Sequence, residues 1–175
     1  FGNGHINTTY LVGNPPEYIL QRLNTDIFRD PDGVMENIFA VTAFLRKKIA
    51  AAGGNPDRET LTFLPTTDGR PYYRTPDGDC YRVYRFIGHA LSLDSASTPE
   101  EFAESAHAFG RFQRMLADFP AERLHETIPH FHDTPSRFAA LHAAIEADAA
   151  GRAAEVAEEI RFALAREESA GRLVD

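Results

Sequence analysis

The stretch FGNGHINTTYLVGNPPEYILQRL, residues 1–23, decides the fold, because it joins a glycine turn to two strand segments. Gly2 and Gly4 lack a Cβ, so the backbone there can turn tightly and bring its N–H groups close to a ligand. Two segments rich in β-formers follow, separated by the turn residues GNPP, and the second carries Arg22. This order is a simple backbone arrangement for covering a polyphosphate. Gly-Asn-Gly before a strand is also common in ordinary hairpin turns, so the pattern alone leaves both interpretations open.

The residues after this stretch predict one long helix. Asp30 is a good N-cap, and Pro31 suits the first helical turn. The helix is expected to run to about Ala52, where Gly-Gly-Asn-Pro ends it. Its apolar residues recur at helical spacing and should pack on the preceding strands: Val34, Ile38, Val41, Leu45 and Ile49.

Three more strands are predicted before Gly88. Residues 60–65 and 71–75 are expected to form a hairpin around Thr-Asp-Gly-Arg, and a second turn, Pro-Asp-Gly-Asp, leads into a strand over 80–87. The predicted product is an α+β fold, a five-stranded antiparallel sheet with one long helix. Gly88 would then be the hinge between two lobes.

The second half of the chain is predicted to be helical. One helix begins after Thr98 as N-cap, and another begins after Thr134 and is interrupted at Gly151. The expected domains are therefore a sheet-containing lobe over residues 1–87, which lacks its first strand, and an incomplete helical lobe over residues 88–175.

Composition narrows the class of partner. The formal net charge of -8 and the scattered distribution of the 18 basic residues argue against a nucleic-acid surface. No stretch approaches the ~20 apolar residues of a membrane span. Cys80 is the single cysteine, so a disulfide framework is excluded and a reducing cytoplasm is the expected setting. Phe1 is not a natural start and Asp175 ends the chain inside a predicted helix, so both ends are expected to be cut.

Several strings spread over nearly the whole chain resemble a known family: GNGHINTTY, YILQRLN, VMENI, YRFI, FGRFQRMLADFP and LHETIP. They are similar to the aminoglycoside phosphotransferase and choline kinase-like family, and most of all to its N-acetylhexosamine 1-kinase branch. Some members of that branch carry the label mucin desulfatase, but this sequence has no sulfatase-type nucleophile or metal cluster. The resemblance implies a protein-kinase-like N-lobe, the first helices of a C-lobe, a sugar as the second substrate, and ATP with Mg²⁺.

The resemblance also implies a nucleotide site. Arg22 falls where the family usually has a Lys or Arg beside the nucleotide phosphates, and a guanidinium suits phosphate oxygens; an edge-strand arginine in solvent is the alternative. Glu36 is deep enough in the long helix to pair with Arg22, as kinase-like lobes require, but the helical wheel puts it opposite the apolar stripe, where a surface role is equally expected. The Tyr84 carbonyl and the Phe86 N–H would hold adenine, with Val83 behind the base, unless this segment is simply a sheet strand.

The glycine segment contributes further residues to the expected nucleotide site: Gly2, Asn3, Gly4, His5, Asn7, Thr8 and Thr9. The side chains of Asn3, Asn7, Thr8 and Thr9 can reach phosphate or can equally stabilise turns. A metal interpretation of His125, His130 and His132 lacks further ligands at matching spacing, so we expect surface histidines and no metal site.

Catalytic residues are not expected within this chain. The resembled family uses a His-Asn/Gly-Asp-x-x-x-x-Asn loop and a later Asp-x-Asp stretch, and neither motif follows the hinge. The Mg²⁺ ligands would then lie mostly outside these residues, and the 175 residues alone should show no kinase turnover. Two other classes stay open: a non-catalytic pseudokinase or binding module, and a helical interaction protein whose glycine turn is only a hairpin.

Overall fold

The computed structural model describes residues 4, 6–91, 93 and 95–173. The chain divides into two compact units, Phe1–Thr127 and Ile128–Asp175. Its class is α+β, as predicted. The division between the units lies later than the lobe boundary expected after residue 87, and that functional boundary stays a prediction.

The first unit contains a five-stranded antiparallel sheet, which confirms the predicted sheet. Its strands are β1 Thr8–Val12, β2 Tyr18–Arg22, β3 Phe63–Leu64, β4 Tyr73–Arg74 and β5 Cys80–Arg85. The order is β1-β2-β5-β3, and β4 also pairs with β5. The strand β5 is therefore the central strand. It pairs with β2 on one side and with the two short strands, β3 and β4, on the other.

The predicted hairpin between β3 and β4 is wrong. The Thr66 N–H donates to the Arg70 carbonyl at 2.8 Å, so the turn forms, but the strands beside it pair with β5 and not with each other. Pro65 and Pro71 flank this turn and lack an N–H, so a ladder between the two strands cannot continue past it. The second predicted turn does join β4 to β5, with Gly78 at a φ of 95°.

One long helix, α1 (Pro31–Ala51), covers one face of the sheet. The Asp30 carboxylate accepts from the Gly33 N–H at 3.0 Å, so the predicted N-cap is confirmed. Met35 is fully buried and forms the core with Leu23, Tyr72 and Cys80. A four-residue helix that the sequence reasoning missed, α2 (Pro56–Glu59), follows α1.

The two faces of the sheet are distinguished by this helix. We call the side that contacts α1 the helix face and the other side the outer face. Side chains alternate along a strand, so residues two apart share a face. The helix face carries Thr9, Ile19, Gln21, Leu23, Phe63, Cys80, Arg82 and Tyr84.

The first unit also contains α3 (Pro99–Leu116), which begins at the predicted N-cap. The Thr98 hydroxyl accepts from the Glu101 N–H at 3.2 Å. The far end of α3 is held to α1, because the Lys48 ammonium donates to the Met115 carbonyl at 2.9 Å and pairs with Asp118. A 3₁₀ segment, Ala121–Arg123, follows.

The second unit contains α4 (Thr134–Ala147), α5 (Ala157–Leu164) and a 3₁₀ segment, Glu167–Leu173. The N-cap of α4 is Asp133, whose carboxylate accepts from the Ser136 N–H at 2.9 Å, and not Thr134 as predicted. The predicted break at Gly151 is confirmed, and its φ is 65°. In the described part of the chain, every helix is too short or too polar to cross a membrane.

Candidate functional site

A small polar cavity lies where Ile6 and Thr8 meet the end of β2. Its volume is about 150 Å³, and it is lined by Ile6, Thr8, Arg22, Leu23, Asn24, Thr25 and Asp26. Two of the predicted site residues, Thr8 and Arg22, are direct partners in the ladder between β1 and β2. The cavity is large enough for several waters or a small anion, since one water occupies ~30 Å³ in the liquid.

The rest of the glycine segment is only partly described. Gly2, Asn3 and His5 lie outside the described residues, so their expected contacts stay predictions. Gly4 is exposed. The Asn7 side chain accepts from the Asn24 N–H at 2.9 Å, so it joins the residues before β1 to those after β2, and its expected contact with phosphate stays a prediction.

Arg22 and Glu36 do not pair with each other. Arg22 lies on the outer face, where its Nε is 3.3 Å from the Asp79 carboxylate and its side chain is 49% exposed. Glu36 lies on an exposed side of α1, where its carboxylate is 2.6 Å from the Nε2 of His125. The physical reason is the alternation of side chains along β2. Gln21 points to the helix face, so its neighbour Arg22 points to the outer face, away from α1.

The expected adenine contacts are also occupied within the sheet. Tyr84 lies inside β5, opposite Ile19 of β2 and Phe63 of β3, so its main-chain groups belong to the ladder. The Phe86 N–H donates to the Glu17 carbonyl at 2.8 Å. A backbone N–H has one proton to donate, so adenine could bind there only by displacing Glu17.

Val83 faces the outer side of the sheet. It contributes to a mostly apolar cavity of about 380 Å³, together with Leu20, Leu64, Pro65, Thr66, Thr67, Tyr72, Tyr73 and Tyr81. A base that packs against Val83, as predicted, would therefore lie on the outer face of the sheet and not on the side of α1.

A row of polar side chains on the helix face was missed by the sequence reasoning. The Gln21 amide donates from Nε2 to the Thr9 hydroxyl at 3.0 Å, and its Oε1 accepts from the Nε and Nη2 of Arg82 at 3.0 and 2.7 Å. Burial lowers the pKa of Arg82, and the nearby Tyr84 hydroxyl opposes that shift. In the sequence, Gln21 shares its parity with the apolar Ile19 and Leu23, but only the structure shows that these two are buried.

Two of the three histidines considered as metal ligands lie beside acidic residues. His125 contacts Glu36, and the His130 Nδ1 is 3.4 Å from the Asp133 carboxylate. Among the residues that the structure describes, no three His, Cys, Asp or Glu side chains converge as metal ligands would.

Comparison with protein families adds no assignment, because no family model matches this chain. The resemblance to small-molecule kinases therefore remains a hypothesis drawn from the sequence strings.

Proposed function

We propose that this chain is the ATP-binding part of a small-molecule phosphotransferase that phosphorylates a sugar hydroxyl, as N-acetylhexosamine 1-kinases do. The observation that carries the proposal is the order of the elements. Two antiparallel strands follow the glycine segment, one long helix packs on one face of them, and three further strands complete the sheet. This is the order expected for a kinase-like N-lobe, and the polar cavity beside Ile6 and Thr8 supports the proposal.

Groups that suit a polyphosphate lie at this end of the sheet. The backbone of the glycine segment and the Thr8 hydroxyl would supply neutral donors, and either of two guanidiniums, Arg22 or Arg82, would supply a cation. In such a reaction ATP supplies the γ-phosphoryl group, which passes to the sugar oxygen. We assign neither the base nor the Mg²⁺ ligands to residues of this chain, since the motifs that hold them in the resembled family are absent here.

The adenine end of the site fits less well. For the Phe86 N–H to reach a base, its bond to Glu17 at 2.8 Å would have to break. A cavity of about 290 Å³ does lie at this point, lined by Pro16, Glu17, Tyr18, Arg85 and Phe86. We therefore expect the phosphates to contribute more of the binding energy than the base.

Calorimetric titration with ATP and Mg²⁺ tests the proposal. We expect ATP to bind at least about tenfold more tightly than adenosine, because charge-assisted hydrogen bonds to phosphate are the stronger contacts. Adenosine is the matched control, since it has the same base and ribose. An absence of ATP binding would refute the proposed function. Sugar-dependent consumption of ATP by the chain alone would contradict the expectation that it has no turnover.

An interaction module is the second candidate, and one observation favours it. Phe102 and Phe109 lie on one side of α3 and are 68% and 71% exposed. Exposed apolar patches of this kind are frequent at protein–protein contacts. The same titration separates the two candidates, because an interaction module of this kind has no need to bind ATP.

A further inference from the structure

The guanidinium of Arg82 is a half-buried charge without an acidic partner. It lies on the helix face, with Nη1 3.9 Å from the Met35 sulfur and the charge centre 5.5 Å from the centroid of the Phe63 ring. Among the described residues, no carboxylate forms an ion pair with it. Burying a charge is costly unless it is paired. An unpaired, half-buried guanidinium is therefore unusual in a protein unless an anionic ligand binds to it.

Five other arginines of the described chain differ in this respect. Carboxylates lie beside the guanidiniums of Arg22, Arg46, Arg70, Arg111 and Arg161. These pairs are on the surface, where a charge is already stabilised by water. Arg82 is thus more buried than these surface arginines, and it has no carboxylate beside it among the described residues.

The orientation of Arg82 is determined by Gln21. The Gln21 amide donates to Thr9, which turns its oxygen toward Arg82, and that oxygen receives one N–H from Nε and one from Nη2. A guanidinium has five N–H groups. Three of them are therefore left, and for these the structure gives, among the described residues, a weak hydrogen bond to Met35 beside the Phe63 ring.

The neighbourhood of Arg82 is open toward β1. Thr9 and Gln21 are half-buried, and Leu11, which shares their face, is 37% exposed. The helix α1 covers Leu23 and Cys80, which lie at the end of these strands where Thr8 pairs with Arg22, and Leu11 lies toward the opposite end. Thr9 lies directly opposite Gln21, so an anion that approaches over Thr9 and Leu11 could reach the free edge of the guanidinium.

We propose that Arg82, oriented by Gln21, is the cation that binds the polyphosphate of the nucleotide, in place of Arg22. The assignment of the polyphosphate to a nucleotide rests on the proposed function. Arg22 is already paired with Asp79 on the outer face, so its charge is partly neutralised. Gln21 acts as a positioning residue and need not touch the ligand.

The substitution Gln21→Glu tests this assignment without removing the guanidinium. The new carboxylate has the shape of the amide and would neutralise Arg82 in place, so the chain should fold. Tripolyphosphate and ATP are each titrated calorimetrically, and urea unfolding is measured in parallel. We expect the affinity for both probes to fall about ten- to hundredfold, while the unfolding midpoint stays equal or rises. A purely structural Gln21 would change the unfolding midpoint and leave the affinity for tripolyphosphate unchanged.

Tyr10→Glu is the matched control, because it adds the same charge on the exposed outer face of the neighbouring strand. We expect it to change both affinities less than about twofold, since exposed charges are screened. Arg82→Lys retains the charge but loses the planar guanidinium with its paired N–H donors, so it should also weaken the binding of both probes.

The outcomes distinguish the two proposals. If the wild-type chain binds tripolyphosphate through Arg82 but does not bind ATP, the inference on Arg82 holds and the proposed function fails. If ATP binds and Gln21→Glu leaves its affinity unchanged, or if Arg22→Gln alone abolishes binding, the assignment to Arg82 is overturned and the function stands. If neither probe binds, both are wrong.

Discussion

Tyr72 shows how one buried hydroxyl joins separate parts of the first unit. Its O–H donates to the Asp32 carboxylate of α1 at 2.8 Å, and it accepts from the Arg74 guanidinium of β4 at 2.7 Å. The ring belongs to the core around Met35, and burial raises the pKa of the phenol. A single side chain therefore connects the N-terminal turn of the helix with the edge of the sheet.

Removal of this hydroxyl should destabilise the fold without emptying the core. We expect Tyr72→Phe to reduce the free energy of unfolding by about 1–2 kcal/mol, because two hydrogen bonds to charged groups are lost while the ring stays. Tyr73→Phe is the matched control, since Tyr73 is 48% exposed. Its effect should remain within ~0.5 kcal/mol. Urea unfolding of both variants is the measurement, and equal effects would mean that the Tyr72 network contributes nothing.

The strands and helices differ in how they are joined to their neighbours. The sheet is held by continuous ladders, whereas α3 is joined to α1 by a few side chains near its end. The Phe44 and Phe119 rings meet edge to face, with centroids 5.2 Å apart, and the Lys48 ammonium contacts the Met115 carbonyl and Asp118. This end of α3 should therefore respond strongly to changes at one residue of α1.

The Lys48 contact can be tested by amide hydrogen exchange. We expect Lys48→Ala to speed exchange in residues 115–119 by about three- to tenfold, because both a hydrogen bond and an ion pair are removed. The sheet should be unaffected. The neighbouring Lys47 is exposed, so Lys47→Ala removes the same charge from the same helix as a control. Equally faster exchange in the Lys47 variant, or unchanged exchange in the Lys48 variant, would contradict the assigned contact.

At the scale of the whole molecule, several surface carboxylates give the chain a common response to acid. The Arg46 side chain lowers the pKa of Asp57, the Asn55 N–H and then Arg111 lower that of Glu59, and the Lys48 ammonium lowers that of Asp118. The ordinary values are 3.8 for Asp and 4.5 for Glu. Each group is therefore less protonated in the folded chain than in the unfolded chain at low pH, which favours folding above the ordinary values.

The stability that these groups contribute should consequently be constant with pH near neutrality and be lost as the pH drops below about 4.5. Glu59→Gln should lower the thermal unfolding midpoint at pH 7 and make the decrease below pH 4.5 smaller, since glutamine does not titrate. Glu122→Gln removes the same charge from an exposed residue for which the structure gives no contact. Thermal unfolding between pH 3 and 7, with that variant as control, is the measurement. An identical acid profile for both variants would show that the Glu59 contacts are irrelevant.

Local features of the first unit could be read from the sequence. Asp30 and Pro31 predict where α1 begins because capping depends on residues within one turn. The glycines after α1 and at Gly78 predict the turns for a similar reason, since a positive φ is a property of the residue itself. The pairing of β3 and β4 with β5 could not be predicted, because it depends on contacts between segments that are distant along the chain.

The candidate site was only partly predictable. Thr8 and Arg22 are neighbours as expected, but the sequence offered apolar residues on both faces of β2, with Tyr18 and Leu20 on one side and Ile19 and Leu23 on the other. The pattern therefore could not show which face the helix covers. Gln21 and Arg82 were overlooked because only the position of α1 shows that their side chains share the helix face and are half-buried there.

The sequence by itself determined most of the elements, their order, the N-caps of α1 and α3 and most of the turns, because each of these depends on neighbouring residues and on the alternation along a strand. Only the tertiary structure decided which polar residues lie under α1 and which point to solvent. The physical reason is that a strand presents two equivalent sets of side chains, and the packing of α1 against Leu23 and Cys80 selects one of them. That selection leaves Arg22 beside Asp79 on the outer face and Arg82 half-buried beside Gln21.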